Sequence, residues 1–135
     1  MKILLVYPRY PDTFWSFRHA LKFIFKKATF PPLGLLTVAA MLPEEWEKKL
    51  VDINTTTLTD EDIKWADYVF ISAMVAQQDS AREVVERCKK FGTKIVGGGP
   101  VFFTGYEEFG HDDIDYLISS EAENLLPLFL EDLEK

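Results

Sequence analysis

The chain is poor in the residues that build metal sites and crosslinks. Its 135 residues include one cysteine, Cys88, and two histidines, His19 and His111. A single cysteine cannot form a disulfide framework or a multi-cysteine metal site, and its scarcity fits a reducing compartment. The opening residues lack a signal-peptide pattern, and no apolar run is long enough to cross a bilayer. We therefore expect a cytoplasmic protein that binds no metal through its own side chains.

Positive charge is also in short supply. Lysine and arginine number 15 against 22 acidic residues, so the net charge is -7. This balance argues against nucleic acid as a partner, because phosphate binding requires a basic surface. With 47% hydrophobic residues, the chain can fill one core but is too short for two ordinary domains. We expect a single domain over residues 1–135.

Five apolar runs predict strands that are buried on both faces, because such strands lack polar alternation. They cover residues 2–7, 48–53, 67–72, 93–98 and 115–119. Helical periodicity begins at Leu33, Gln77 and Ala122, and a short helix with an acidic start is expected at 58–66. This alternation predicts a three-layer α/β fold, with a doubly wound sheet of five parallel strands in the order 2-1-3-4-5.

The helix predicted from Gln77 has one apolar face. Ala81, Val84, Val85 and Cys88 recur at steps of three and four residues, whereas the residues between them are mostly charged. We expect that face to be buried, and we expect Gly92 to end the helix as a C-terminal cap.

Ligands of open α/β sheets bind at the carboxyl ends of the strands. We expect four short segments of this chain to meet at that edge. They contain Tyr7 and Pro8; Ser72, Ala73 and Met74; Gly97, Gly98, Gly99 and Pro100; and Ser119, Ser120 and Glu121. The run KIVGGGP supports two interpretations, because glycines allow a ligand to approach the backbone but also make ordinary turns.

Several common uses of this architecture are excluded by missing residues. No glycine follows the first strand, which excludes the dinucleotide fingerprint, and no lysine follows the glycine run, which excludes a P-loop. Ser72 occupies the position where a phospho-receiver domain would need an aspartate. The two histidines are better explained as exposed or packing residues than as catalytic bases. We therefore predict a binding surface and no catalytic residues.

Four motifs occur along the chain in the order FPPLGLLTVAAML, VFISAMVAQQDSA, IVGGGP and DYLISSEAE. In this order they resemble the cobalamin-binding domain at the N-terminus of many radical S-adenosylmethionine (radical SAM) proteins. The resemblance implies a flavodoxin-like (Rossmann-like) fold and cobalamin as the cofactor. It implies that Ser72 and the glycines at 97–99 contact the nucleotide tail. The apolar side of the FPPLG segment, with Pro32 and Leu33, could line the corrin, although a rigid entry to the helix is the simpler role.

The chain departs from the stricter family pattern at two places. The D-x-H-x-x-G motif, whose histidine coordinates cobalt, is absent, because Phe14 stands where Asp12 requires a histidine. The expected cofactor state is therefore histidine-off. Ser120 replaces the usual glycine of the G-E-x-E turn, although Glu121 and Glu123 are present.

The resemblance also implies a longer parent enzyme. One cysteine cannot hold the iron-sulfur cluster of a radical SAM site. The cluster and S-adenosylmethionine would therefore bind to a catalytic domain elsewhere in the parent, which would be this domain's partner. The parent would be a methyltransferase, a cyclase or a related oxidoreductase. The alternative is a degenerate domain that binds no cofactor and serves interdomain or membrane-surface contacts, the latter through the basic, aromatic segment 14–30.

Overall fold

The computed structural model describes residues 1–11, 33–104, 113–118 and 122–134. Strands and helices alternate along the chain. They are β1 (Lys2–Tyr7), α1 (Leu33–Met41), β2 (Glu47–Asp52), α2 (Asp60–Trp65), β3 (Tyr68–Ser72), a 3-10 turn (Val75–Gln77), α3 (Gln78–Lys90), β4 (Lys94–Gly98), α4 (Val101–Thr104), β5 (Tyr116–Ile118) and α5 (Ala122–Glu134).

The five strands form one sheet in the order β2-β1-β3-β4-β5, and every neighbouring pair is parallel. This confirms the predicted α/β fold and strand order. The predicted strand bounds are correct to within one residue in the described part of the chain. The short helix α4 was not predicted, because four residues are too few to show a helical period.

Side chains alternate between two cores, one on each face of the sheet. From β1, Leu4 and Val6 join the core beneath α2, α3 and α4. Ile3 and Leu5 join the core beneath α1 and α5. Every one of these four side chains is at most 1% exposed, as expected for a central strand covered on both sides.

Aromatic rings fill the amino half of the sheet face beneath α5. The ring of Phe129 lies 5.9 Å from Tyr68, 5.6 Å from Phe70 and 4.9 Å from Tyr116, always edge to face. Edge-to-face contacts between aromatic rings add to the free energy gained from their burial. Aromatic packing therefore fills the space between α5 and the start of β3 and β5.

Helix α3 buries the predicted face and ends as predicted. Ala81, Val84, Val85 and Cys88 are all buried. Gly92 has a φ of 68°, and two backbone bonds close the last turn: Gly92 N donates to Lys89 O, and Thr93 N donates to Cys88 O. This pair of bonds is the Schellman arrangement, in which a residue with positive φ satisfies the last helix carbonyls.

Helix α2 begins with a reciprocal pair of hydrogen bonds. Asp62 N donates to Thr59 Oγ1 at 3.2 Å, and Thr59 N donates to Asp62 Oδ2 at 3.0 Å. The Lys49 ammonium also donates to the Asp62 carboxylate. Burial by itself raises the pKa of Asp62, but the hydrogen bonds from Lys49 and Thr59 outweigh it, so the net pKa lies below the ordinary 3.8.

Because the folded state lowers this pKa, the ionised Asp62 stabilises the fold above pH 3.8, and the gain is lost as pH falls through the folded pKa. We expect Asp62→Asn to lower the free energy of unfolding by about 1 kcal/mol at neutral pH, with the difference shrinking in acid. Urea denaturation at several pH values, from neutral pH down through pH 3.8, measures this change in the free energy of unfolding. Glu61→Gln, on the exposed side of α2, is the control and should change stability by less than about 0.5 kcal/mol. A difference independent of pH would contradict the assignment.

Candidate functional site

A cleft opens between α1 and the carboxyl halves of β3, β4 and β5. Its volume is about 170 Å³. We call this cleft the slot. Among the described residues it is lined by Gly34, Leu35, Val38, Phe70, Ile71, Ser72, Val96, Gly97, Gly98, Gly99 and Ile118. It lies on the same sheet face as the aromatic cluster around Phe129, at the opposite end of the strands.

The slot exists because small residues meet across it. Ser72 pairs with Gly98 in the β3–β4 register. Each lies two residues after a side chain of the core beneath α1 and α5, Phe70 and Val96, and so shares that face of the sheet. A Cβ added at Gly98 would have the Ile118 carbonyl oxygen as its nearest neighbour, 3.9 Å away. Across the cleft, a Cβ on Gly34 would lie 3.8 Å from Ser72 Oγ. Larger side chains at these positions would occupy the space.

The three consecutive glycines serve different purposes. Gly97 faces the other core, where a Cβ would lie 3.1 Å from the ring of Phe102. Gly99 has a φ of 88°, and a Cβ there would lie 2.7 Å from Ala73 O. Gly98 alone faces open space in the slot. Gly99 therefore makes the turn, and Gly98 leaves open space beside the sheet, whereas contact between Gly98 and a ligand stays a prediction.

The Ser72 hydroxyl is the one polar side-chain group in the described lining of the slot. Within the described part of the chain it forms no hydrogen bond, and Ser72 is only half-buried. A hydroxyl can donate one hydrogen bond and accept others. Ser72 can therefore bond a ligand atom that enters the slot.

The other predicted contacts after β3 and β4 surround the slot without lining it. Ala73 is buried, and its backbone bonds Gly98 O and Val101 N at 3.3 and 3.2 Å. Met74 is half exposed, and Pro100 is exposed at the turn. Their direct contact with a cofactor stays a prediction.

Tyr7 and Pro8 lie at the end of β1, where their hydrogen bonds hold the chain against its neighbours. The Tyr7 and Tyr10 hydroxyls are 2.8 Å apart and buried. Burial, reinforced by the bond to Tyr10, raises the pKa of Tyr7, so its hydroxyl stays neutral. The Pro8 carbonyl accepts hydrogen bonds from Gln77 Nε2 at 2.6 Å and Asn54 Nδ2 at 3.1 Å. Neither residue lines the slot.

Sequence reasoning missed the role of Gln77. Its side chain is fully buried, and its Oε1 accepts a bond from Met74 N at 2.8 Å while its amide holds Pro8. It therefore joins the segment after β1 to the turn after β3. The available indication was a polar residue between a buried strand and an amphipathic helix, which we interpreted only as a helix start.

Some predictions fall on parts of the chain outside the described residues. Leu33 begins α1, but only its backbone is described. Predictions that cannot be placed concern Pro32, Ser119, Ser120, Glu121, His19, His111 and the segment 14–30. Within the described ranges, no three His, Cys, Asp or Glu residues lie together as a metal site would need. No helix there is long and apolar enough to span a membrane.

The family model of the B12 binding domain matches residues 27–130, a range that includes the whole described lining of the slot. This chain belongs to the B12-binding domain family. The resemblance to cobalamin-binding domains is thereby confirmed, and the observed flavodoxin-like sheet agrees with it. Family membership supports cobalamin as the ligand.

Two curated proteins are similar to this B12-binding domain. An uncharacterized methyltransferase of Synechocystis sp. is 43% identical over 135 residues, 100% of this chain and 25% of that protein. A hopanoid C-2 methylase of Rhodopseudomonas palustris is 40% identical over 100 residues, 73% of this chain and 19% of that protein. The chain thus spans a quarter or less of these relatives. No solved structure gives a significant match.

The different surroundings of Gly98 and Gly99 predict different costs for the same substitution. We expect Gly99→Ala to lower the free energy of unfolding by about 1–3 kcal/mol, because alanine is strained at positive φ. Gly98→Ala is the matched control, and it should stay within about 1 kcal/mol of the native domain because its Cβ enters open space. Urea denaturation of both variants measures the difference. Equal losses would contradict the separate roles of the two glycines.

Proposed function

We propose that this domain binds cobalamin and that the slot receives the nucleotide tail. The observation that carries the proposal is the slot itself, an opening formed by Gly34, Ser72 and Gly98 at the carboxyl edge of a parallel sheet. Parallel α/β folds place ligands at this edge. The Ser72 hydroxyl, which has no hydrogen bond to the described residues, would provide a polar contact inside a described lining that is otherwise apolar.

The volume of the slot fits one part of the cofactor. Pockets that enclose a whole drug-sized ligand measure about 300–1,000 Å³, whereas a dry apolar cavity of about 150 Å³ takes one benzene ring. At about 170 Å³, the slot fits an aromatic base and is too small for a corrin. The corrin would lie outside it, where Leu36, Met74 and Val75 are 46–50% exposed and offer apolar surface.

We further propose that the bound state is histidine-off. Phe14 replaces the histidine of the D-x-H-x-x-G motif, so that motif supplies no lower ligand to cobalt. When bound, cobalamin supplies a cobalt centre able to carry a methyl group. The residues of this domain would bind the tail, through the apolar slot and Ser72, and would exclude water from it.

The whole protein would be a methyl-transferring enzyme of the radical SAM type. The similar proteins are named as a methyltransferase and a methylase, and this chain spans 25% and 19% of their lengths. On this proposal, residues 1–135 form one cobalamin-holding domain. The partner would be a catalytic domain of the same parent chain, carrying the iron-sulfur cluster and S-adenosylmethionine.

Titration of the purified domain with hydroxocobalamin tests the proposal, with the visible spectrum and amide chemical shifts as readouts. We expect saturable binding, with shifts at Ser72 and Gly98. Gly98→Leu should weaken binding at least tenfold because its side chain occupies the slot, whereas Gly98→Ala should weaken it by less. Ser72→Ala should weaken it by about two- to tenfold, the value of one hydrogen bond.

Two results would contradict the proposal. The absence of saturable binding to the native domain would support the alternative, a degenerate domain without a cofactor. Unchanged affinity in Gly98→Leu, with the fold confirmed by circular dichroism, would show that any binding occurs outside the slot.

A further inference from the structure

We propose that the slot selects among corrinoids by the base of their tail, accepting an apolar aromatic base and disfavouring a purine. This inference rests on the proposed function and specifies the ligand of the same site. Natural corrinoids share one ring but differ in the base, which can be a benzimidazole, a phenol or a purine such as adenine. The bases have similar planar shapes and different numbers of polar atoms, so the lining decides between them.

The walls of the slot are apolar. Phe70, Val96 and Ile118 form the sheet side, and Leu35 and Val38 form the helix side. Among the described lining residues, only Ser72 has a polar side chain. An adenine base would bring several ring nitrogens and an amino group into these surroundings. Within the described lining, one serine hydroxyl cannot satisfy them all.

Three backbone carbonyl groups around the slot are already bonded within the described part of the chain. Gly98 O accepts from Ala73 N at 3.3 Å, Gly99 O accepts from Phe102 N at 3.1 Å, and Ala73 O accepts from Val101 N at 3.2 Å. Strand β4 also pairs with both β3 and β5 at Gly97 and Gly98. A buried polar atom that leaves water without gaining a partner weakens binding.

An apolar base avoids this loss. A cresol base has no ring nitrogen, and a dimethylbenzimidazole base has a single free ring nitrogen to which the Ser72 hydroxyl can donate. Either base would replace water against Phe70, Val96 and Leu35 with apolar contact. The slot therefore selects mainly by offering a purine too few hydrogen-bond partners. A site that leaves a ligand's polar atoms unpaired can discriminate strongly against that ligand.

The test is a titration of the purified domain with three corrinoids: one with a cresol base, one with an adenine base, and hydroxocobinamide, which has no nucleotide tail. The cresol base cannot coordinate its own cobalt, so no such bond must break before it enters the slot. We expect the cresol corrinoid to bind at least tenfold more tightly than the adenine corrinoid, and cobinamide to bind more weakly than the cresol corrinoid.

Val38→Asn gives a second, independent readout. An asparagine amide can accept a hydrogen bond from the adenine amino group and donate one to the free ring nitrogen beside it. We expect this variant to reduce the cresol-to-adenine affinity ratio at least threefold. Ala40→Asn is the matched control, because it places the same amide on the exposed face of the same helix, and the ratio should not change.

The outcomes separate this inference from the proposed function. Failure of hydroxocobalamin and all three probes to bind would overturn both. Tight cresol and adenine binding in a ratio near one, with cobinamide weaker, would overturn selection by the base and leave tail binding standing. A native preference that Val38→Asn does not alter would also overturn the inference, because the selection would then arise outside the slot.

Discussion

The register between β3 and β4 is the constraint on which the candidate site depends. It pairs Ser72 with Gly98 and leaves both on the face covered by α1. A shift of one residue would exchange the two faces of β4. Gly98 would then face the core that holds Phe102, and Gly97 would lose the close packing that its missing side chain permits. The same register thus lets Gly97 pack closely against the core on one face of the sheet and places Gly98 in the slot on the other face.

The slot lies at the carboxyl end of its sheet face. At the amino end, Phe129 packs against three aromatic rings. At the carboxyl end, glycine and serine replace large residues and leave about 170 Å³. An apolar cavity lowers stability, because its lining loses contacts that a filled core would make. A ligand that fills this space with apolar atoms would restore those contacts, and the restored contacts would contribute to the free energy of binding.

The sequence predicted most of the fold because the fold rests on local patterns. Buried strands, the apolar face of α3 and the cap at Gly92 are all visible in the spacing of residue types. The site was predictable only in part. The glycine run was recognised, but which glycine faces a ligand depends on side-chain direction, and that requires the register. Gln77 was missed because its bond to Pro8 joins positions 69 residues apart, and no local pattern encodes such a contact.

The anchoring of Pro8 bears on how a cofactor could be held without a histidine ligand. Asn54 from the end of β2 and Gln77 from the turn after β3 both bond the Pro8 carbonyl, and Asn54 Oδ1 also accepts from Tyr10 N at 2.9 Å. The chain leaving β1 is thus fixed to its neighbours on both sides. A rigid edge loses little conformational freedom when a ligand binds. If the bound state is histidine-off as proposed, affinity would come from such preorganisation and from burial of the tail. The apolar lining of the slot, and Ser72 within it, would then determine both how tightly and how selectively a corrinoid binds.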